Sequence, residues 1–161
     1  MIPEIKKILY ATDLSGSPAG YAFGYAVDLA RTHDATIIIL HCVQAGHPIS
    51  YAGVRVEAVV REAREEEQKV DLEEIKKRVE MFCDKMEDQI GSPCAQLVSK
   101  ILVPLGQPVE EILKAADDEN CDVIVLGTYE KGFLEQTLLG SVAVEVLRKA
   151  RKPLFIIPLP S

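Results

Sequence analysis

The composition of this 161-residue chain excludes several classes of protein before any motif is considered. Apolar residues make up 48% of it, enough for a full hydrophobic core without a metal or disulfide staple. No apolar stretch reaches the roughly 18 residues of a membrane-spanning helix, and the first residues do not resemble a signal peptide. The net charge of −7 argues against a general nucleic-acid-binding protein, which presents a basic face. We therefore expect one cytoplasmic domain over residues 1–161, with no nucleic-acid or membrane partner.

Five short apolar segments rich in branched residues predict β-strands at 5–11, 36–43, 95–103, 121–126 and 153–157. The second and fourth are continuously apolar, as strands covered on both faces of a sheet are. Four helical patterns separate the strands: they begin at Ser17-Pro18, near residue 54, at Pro108 and at Gly140. In the last pattern, an apolar stripe is predicted for Val142, Val146 and Leu147.

Alternating strands and helices predict an α/β fold, in which an open parallel five-stranded sheet carries helices on both faces. Such a sheet binds ligands beyond the carboxyl ends of its strands, where the strand order reverses. The loops after the first and fourth strands hold most of the small and polar residues. We therefore place these two strands side by side, with a ligand site at their ends.

Two glycine positions near this predicted edge indicate where an anion would bind. Gly127 follows a β-branched run, and a glycine there lets the backbone approach a ligand closely. Gly140-Ser141 opens the last helix, and a helix start offers free N–H groups and here also a hydroxyl. These residues predict a phosphate or nucleotide site. An ordinary strand-to-loop turn followed by a helix cap explains them equally well.

The cysteines and histidines give little indication of chemistry. Cys42, Cys83, Cys94 and Cys121 lie far apart without Cys-x-x-Cys spacing, so we predict neither structural zinc nor redox chemistry. Cys42 and Cys121, in or beside apolar runs, are predicted to be buried small hydrophobes. His41 is predicted to be a core residue with satisfied hydrogen bonds. No spacing of histidines and carboxylates indicates a protein-built metal site.

Five segments, in the right order and over nearly the whole chain, resemble the universal stress protein family. They are KILYATDLS at 7–15, LHCV at 40–43, GQP at 106–108, GSVA at 140–143 and KPLFII at 152–157. The resemblance implies a Rossmann-like sheet with strand order 3-2-1-4-5 and a homodimer paired through the last strand, Pro153 to Ile157. It also implies binding of ATP, or of AMP or ADP, with magnesium that arrives on the triphosphate.

The resemblance further implies which residues would contact the nucleotide. These are Ala11, Thr12, Asp13, Cys42, Leu126, Gly127, Glu130, Lys131, Gly140, Ser141 and Val142. Asp13 would accept hydrogen bonds from the ribose, and its alternative role is an Asx turn. Cys42 would present its backbone to the adenine edge. Ser141 would bind phosphate through its hydroxyl and N–H, a role compatible with capping the helix.

Glu130 departs from the pattern of the ATP-binding members of the family. Those members carry Gly-x-x-Gly, nine residues, and then Gly-Ser or Gly-Thr; here Gly127 and Gly140-Ser141 match, but Glu130 stands at the second glycine. A carboxylate beside the phosphates would meet like charge, at a cost of about 1–4 kcal/mol. Lys131 would offset part of that cost. ATP binding is therefore a prediction to test.

Three functions follow from these residues. The first is a regulatory module of the stress response whose adenine-nucleotide occupancy alters its shape or partners. The second is a dimeric scaffold without nucleotide, closed by Glu130. The third is a slow ATP hydrolase, although no nucleophile elbow, phosphate-loop lysine or tuned general base is present. The segment at 44–53 is a candidate lid over the site, and the charged segment at 61–77 is predicted to be a solvated helix face.

Overall fold

The computed structural model of the protein describes residues 1–12, 19–44, 56–90, 94–129 and 140–159. The strands in these ranges are β1 (Lys7–Ala11), β2 (Thr36–Leu40), β3 (Val43–Gln44), β4 (Val98–Leu102), β5 (Leu105–Gly106), β6 (Val123–Tyr129) and β7 (Leu154–Leu159). The α-helices are α1 (Ala19–His33), α2 (Val56–Ile90), α3 (Pro108–Asp118) and α4 (Ser141–Lys149), and a 3₁₀ turn covers Cys94–Leu97.

The main sheet has five parallel strands in the order β4-β2-β1-β6-β7. Counted along the chain, this is the predicted order 3-2-1-4-5, and the predicted α/β fold is confirmed. β1 lies at the centre, where Ala11 pairs with Leu40 of β2 and with Leu126 of β6. The strand order reverses at β1, so the carboxyl ends of β1 and β6 form the edge at which a ligand is expected.

Two apolar layers cover the sheet, because side chains of successive strand residues point to opposite faces. Ile8, Ile37 and Val125 pack on one face with α1 and the buried seam of α2. Leu9, Ile38 and Ile124 belong to the opposite layer with α3 and α4. The continuous burial of β1, β2 and β6 explains why their sequences read as unbroken apolar runs.

Three details of the predicted elements differ from the structure. The predicted strand at 95–103 begins as the 3₁₀ turn and becomes a strand only at Val98. The predicted strand at 36–43 ends at Leu40 and resumes at Val43, where β3 pairs with β5 in a separate two-stranded sheet. Leu147 is 53% exposed, so the buried face of α4 consists of Ala143 and Val146 instead.

The cysteines also differ from the prediction. Cys83 of α2 and Cys94 of the 3₁₀ turn form a disulfide, with both residues buried. The core therefore includes a disulfide, although the apolar content of the sequence was judged sufficient for a core without one. Cys121 is fully buried as predicted, whereas the free Cys42 is only partly buried.

The charged helix α2 is solvated on one side, as predicted, and buried on the other. Glu74 pairs with Arg78 at 2.8 Å across one turn, and the two side chains are 46% and 38% exposed. Ile75 and Val79 of the same helix are buried in the layer shared with α1. No helix in the described ranges combines the length and apolar character needed to cross a membrane.

Asp122 holds the start of the central strand β1, at the amino-terminal end of the strands, opposite the end where the ligand site is expected. Its Oδ2 accepts hydrogen bonds from the backbone N–H groups of Lys6, at 2.7 Å, and Lys7, at 2.9 Å. The backbone N–H of Asp122 in turn donates to the carbonyl of Lys7 at 2.8 Å. One side chain thus fixes β1 against the entry to β6.

Replacing Asp122 by alanine is expected to lower the free energy of unfolding by about 1 kcal/mol, because two backbone donors lose a charged acceptor near solvent. Urea denaturation of the wild type and the variant measures the difference. Asp122→Asn keeps one acceptor oxygen and is the control, with a smaller expected loss. Equal stability of Asp122→Ala and the wild type would show that water replaces the clamp at no cost.

Candidate functional site

A cavity of about 410 Å³ opens at the carboxyl ends of β1, β2 and β6, within the size range of small-molecule sites. Its described lining is Tyr10, Ala11, Thr12, Ala22, Leu40, His41, Cys42, Pro108, Ile112, Leu126, Gly127, Thr128, Gly140, Ser141, Val142, Ala143 and Leu159. The cavity thus lies where the reversal of strand order predicts a ligand site.

Backbone hydrogen bonds fix the ends of the strands around this cavity. The N–H of Thr12 donates to the carbonyl of Leu40 at 2.9 Å, and the N–H of His41 donates to the carbonyl of Leu102 at 2.9 Å. The sheet ladder therefore continues one residue beyond β1 and β2. These two walls of the cavity are therefore fixed by hydrogen bonds to the central strands of the sheet.

The N-terminus of α4 faces the cavity without a capping side chain. Gly140 is the N-cap residue, with extended backbone angles (φ −61°, ψ 157°), and Ser141 is the first helical residue. A Cβ built on Gly140 would meet no atom within 4 Å among the neighbours described, so packing does not require a glycine there. The first N–H groups of an α-helix lack intrahelical acceptors and carry partial positive charge. This end of the cavity therefore suits an anion.

Gly127 has a different explanation. A Cβ on Gly127 would lie 3.1 Å from both Cδ atoms of Leu159, a residue of the edge strand β7. Contacts this short force the neighbour to shift. Packing against Leu159 is thus a second reason, besides close approach of a ligand, that favours a glycine at this position.

His41 lies just beyond the end of β2 and links the cavity to helix α2. Its Nδ1 is 3.1 Å from the carbonyl oxygen of Thr12, and its Nε2 is 3.2 Å from Oδ2 of Asp71. Both ring nitrogens of His41 therefore lie within hydrogen-bond distance of an oxygen atom. The predicted hydrogen-bond partners are present, but the predicted core position is wrong, because His41 is only partly buried and lines the cavity. Its position on the cavity wall was not predicted.

Cys42 presents a protonated thiol rather than a nucleophile. Burial, and then the nearby carboxylate of Glu111, raise the pKa of Cys42 to about 11. The thiol donates to the carbonyl of Gly106 at 3.3 Å. At neutral pH this side chain therefore contributes shape and a weak hydrogen bond to the cavity wall.

Thr128 lines the cavity but has a buried hydroxyl oxygen without a partner among the described residues. The residue is 2% exposed, and its Oγ1 finds no hydrogen-bond partner among the described residues. Buried hydroxyls almost always have a partner, because an unpaired one has lost its hydrogen bonds to water. This side chain is the unexplained polar group of the site.

The structure brings most of the predicted site residues together. Eight of them line the cavity: Ala11, Thr12, Cys42, Leu126, Gly127, Gly140, Ser141 and Val142. Asp13, Glu130 and Lys131 lie outside the described residues, as does nearly all of the candidate lid at 44–53. Within the described ranges, no group of three or more histidine, cysteine or acidic residues is placed to hold a metal ion.

Sequence reasoning missed Thr128 as a site residue, although a signal was available. Thr128 follows the glycine that was singled out, and it lies two residues beyond Leu126, so both side chains point to the same face of β6. Leu126 belongs to the layer packed against α4. The alternation of side chains along β6 therefore places Thr128 on the face of the sheet that α4 covers.

Comparison with known proteins gives one consistent result. The model of the universal stress protein family matches residues 4–158. Universal stress protein MJ0577 of Methanocaldococcus jannaschii is 31% identical over 166 residues, which cover 94% of this chain and 94% of that protein. A second protein of this organism, universal stress protein MJ0531, is 28% identical, with coverage of 96% and 83%.

Solved structures agree in fold. The structure of MJ0577 matches with a TM-score of 0.67 at 31% identity, over 99% of both chains. UspA from Lactobacillus plantarum gives a TM-score of 0.71 at 22% identity, over 97% of this chain and 99% of the other. A universal stress protein from Archaeoglobus fulgidus, solved in complex with dAMP, gives 0.58 at 22% identity, over 94% and 97%. From the match over residues 4–158 and these relatives, the chain belongs to the universal stress protein family.

Proposed function

We propose that this protein binds an adenine nucleotide, ATP with magnesium, in the cavity at the carboxyl ends of β1 and β6. It acts as a regulatory module of the stress response whose occupancy alters its shape or partners. The observation that carries the proposal is the N-terminus of α4, which lies at a cavity of suitable size. Among the described residues, no side chain caps this helix and none packs where a Cβ of Gly140 would lie. The family member from Archaeoglobus fulgidus solved with dAMP supports the same class of ligand.

In this proposal the parts of the nucleotide lie against different walls of the cavity. The apolar and backbone surfaces of Ala11 and Cys42 suit the adenine, while the start of α4 at Gly140 and Ser141 suits the phosphates. The carboxylate of Asp13 would hold the ribose. Phosphate at a helix N-terminus gains from both the free N–H groups and the helix dipole.

The residues at the start of α4 fit a phosphate group. Magnesium bound to a triphosphate keeps most of its waters and needs few protein ligands. The metal would therefore enter with the nucleotide and neutralise part of its charge. AMP and ADP present fewer phosphates to the same site and are the alternative ligands.

A dimeric scaffold without nucleotide is the second candidate function. The observation that favours it is Glu130 at the position of the second motif glycine. A carboxylate near phosphate in a poorly hydrated pocket opposes binding through like charge. In this case the cavity would remain as a relic of the family fold.

Magnesium-ATP titrated by calorimetry into the wild type and the Glu130→Gly variant distinguishes the two functions. We expect micromolar binding by the wild type, about 8 kcal/mol, and tighter binding by Glu130→Gly because a like charge is removed. Gly140→Ala is the matched control within the site: no described residue lies within 4 Å of the added methyl group, which we expect to meet the bound ligand. This variant should fold normally and bind ATP less tightly.

Binding of magnesium-ATP by Glu130→Gly together with no detectable binding by the wild type would support the scaffold function. No detectable binding by either protein would reject ATP as the ligand. A hydrolase function is the least supported, and would require turnover above background that falls when Asp13 is replaced by alanine.

The protein is also proposed to be a homodimer that pairs through β7. This strand lies at an edge of the sheet, and an unpaired apolar edge is prone to pair with a second chain. Phe155 is 40% exposed, and its ring lies 6.1 Å from that of Tyr25, which in turn contacts Tyr21 at 5.4 Å. These three exposed aromatic side chains form a patch beside the edge strand. Aromatic residues are enriched in protein–protein interfaces, where they become buried when the second chain binds. The cytoplasmic location stays a prediction.

A further inference from the structure

We infer that His41 is a positioning residue of the nucleotide site, whose ring holds the carbonyl of Thr12 at the cavity wall and ties it to Asp71 of helix α2. The affinity for the ligand then depends on these two contacts and on the charge of the ring. The inference rests on the proposed nucleotide function and concerns how the wall of the cavity is held. It begins from two distances: 3.1 Å from Nδ1 to the carbonyl oxygen of Thr12, and 3.2 Å from Nε2 to Oδ2 of Asp71.

Two consecutive residues at the end of β2 hold Thr12. The N–H of Thr12 donates to the carbonyl of Leu40 at 2.9 Å, and its carbonyl oxygen faces the ring of His41. The N–H of His41 donates in turn to the carbonyl of Leu102 at 2.9 Å, so the backbone that carries the ring is itself fixed. The carbonyl of Thr12 belongs to the planar peptide unit that leads to Asp13, to which the proposed function assigns the ribose. A hydrogen bond to this carbonyl therefore orients a peptide at the cavity wall.

The ring of His41 reaches α2 because both lie on the same face of the sheet. Side chains alternate along a strand, so His41 shares its face with Ile37 and Ile39, which pack in one layer with Ile75 of α2. Helix α4 packs on the opposite face. His41 therefore meets the cavity from the side opposite the proposed phosphate end, and its partners belong to the protein.

Helix α2 is fastened beside the cavity at a second point. Nε2 of Gln68 donates to the carbonyl of Val103, just beyond β4, at 2.7 Å. Gln68 and Asp71 are three residues apart and so lie on the same side of the helix. The two contacts tie α2 to the ends of β2 and β4. Gln68 provides a comparison for the test, because it anchors the same helix through a side chain that does not titrate.

The protonation state of the ring decides how many of its contacts form. A neutral imidazole has one N–H and donates to Thr12 or to Asp71 alone, whereas the protonated ring donates to both. An ionised carboxylate is the stronger acceptor, so the neutral ring donates to Asp71 and loses the carbonyl of Thr12. Imidazoles ordinarily titrate between about pH 5 and 8, where carboxylates are ionised. Lowering the pH across this range therefore secures the wall at Thr12, and raising the pH releases it.

The other groups around His41 that could carry charge, in the part of the chain that the structure describes, keep their state over this range. Arg64 lies on the same side of α2 as Gln68 by helical spacing, and an arginine stays charged. Burial, and then the carboxylate of Glu111, raise the pKa of Cys42 to about 11, so this thiol stays neutral. Glu111 is a carboxylate, which is ordinarily ionised here. The change with pH is therefore assigned to the ring.

The test compares the pH dependence of magnesium-ATP affinity in the wild type and in Asp71→Asn, measured by calorimetry. In Asp71→Asn the amide N–H donates to Nε2 of the neutral ring, which leaves the N–H of Nδ1 for the carbonyl of Thr12. From about pH 8 to about pH 5.5, the affinity of the wild type is expected to rise about 3- to 10-fold more than that of Asp71→Asn, the effect of one hydrogen bond. Titration of ATP and of Glu130 is common to both proteins and cancels in this comparison.

Two further measurements make the outcome decisive. Gln68→Ala loosens α2 without changing the ring and should keep the pH dependence of the wild type. In the ligand-free proteins at alkaline pH, nitrogen NMR should place the proton of the neutral ring on Nε2 in the wild type and on Nδ1 in Asp71→Asn.

The inference is overturned if the wild type and Asp71→Asn change in parallel with pH, if Gln68→Ala loses the pH dependence, or if the two ligand-free rings share one tautomer. Failure of the wild type to bind ATP at either pH rejects the proposed function instead. The tautomers of the ligand-free proteins then still test the contacts of His41 on their own.

Discussion

Replacing Phe155 by lysine is expected to give a folded monomer, whereas replacing Ile157 by lysine is expected to unfold the protein. The two residues lie two positions apart on the edge strand β7 but in different environments: Phe155 is 40% exposed, and Ile157 is 4% exposed within the layer beneath α1. A lysine at Phe155 places charge in the proposed dimer interface, where its head still reaches water in the monomer.

A lysine at Ile157 leaves an unpaired charge in the core. The cost of such a charge is about 3–5 kcal/mol, a large fraction of the 5–15 kcal/mol by which domains of ordinary size are stable. Both residues belong to the strand, Pro153 to Ile157, through which the family resemblance implies that the dimer pairs. The burial of Ile157 restricts that test to Phe155, because loss of dimers through unfolding says nothing about the interface.

Light scattering coupled to size exclusion measures the oligomeric state, and circular dichroism measures folding. Val70→Lys is the matched control: this residue is 64% exposed on α2, a helix that contacts the 3₁₀ turn leading into β4, the strand at the opposite edge of the sheet. It should remain dimeric. If Phe155→Lys remains a dimer, the dimer interface does not include this part of β7. If Ile157→Lys is as stable as the wild type, the packing of Ile157 in the core is contradicted.

The sequence was sufficient to predict the sheet because burial leaves a local signature. β1, β2 and β6 are covered on both faces, and each appears in the sequence as a continuous apolar run bounded by polar or small residues. Their order, together with short connections, then leaves few topologies open. The segment before β4 carries a weaker pattern, and there the turn Cys94–Leu97 was predicted as a strand.

Features that depend on two distant segments were not predictable from local patterns. The pair of short strands β3 and β5 exists through pairing across more than 60 residues of sequence, Val43 with Leu105. Gly127 was explained either by a ligand or by an ordinary turn, whereas a Cβ at this position would meet Leu159 of another strand. The unpaired hydroxyl of Thr128 is likewise a property of its surroundings, because any threonine in a strand has the same sequence signature.

Reducing the disulfide between Cys83 and Cys94 is expected to lower the free energy of unfolding by about 2.5–3 kcal/mol at 25 °C. The two cysteines are 11 residues apart in the sequence. A cross-link over a loop of that length lowers the chain entropy of the unfolded state, and this entropy loss accounts for the expected 2.5–3 kcal/mol, about the size that the loop-entropy relation gives. Both cysteines are buried in the layer that holds Ile75 and Val79 of α2. The disulfide therefore fastens α2 to the turn that leads into the edge strand β4.

Guanidinium denaturation with and without a reductant measures this contribution, and thiol titration in denaturant gives two free thiols per chain before reduction and four after it. The double variant Cys83→Ala, Cys94→Ala should match the reduced protein to within the cost of two small cavities, and reductant should not change its denaturation further. That second result is the control for effects of the reductant on Cys42 and Cys121. If the wild type keeps its denaturation midpoint with four titratable thiols, packing of α2 rather than the covalent bond holds this edge of the sheet.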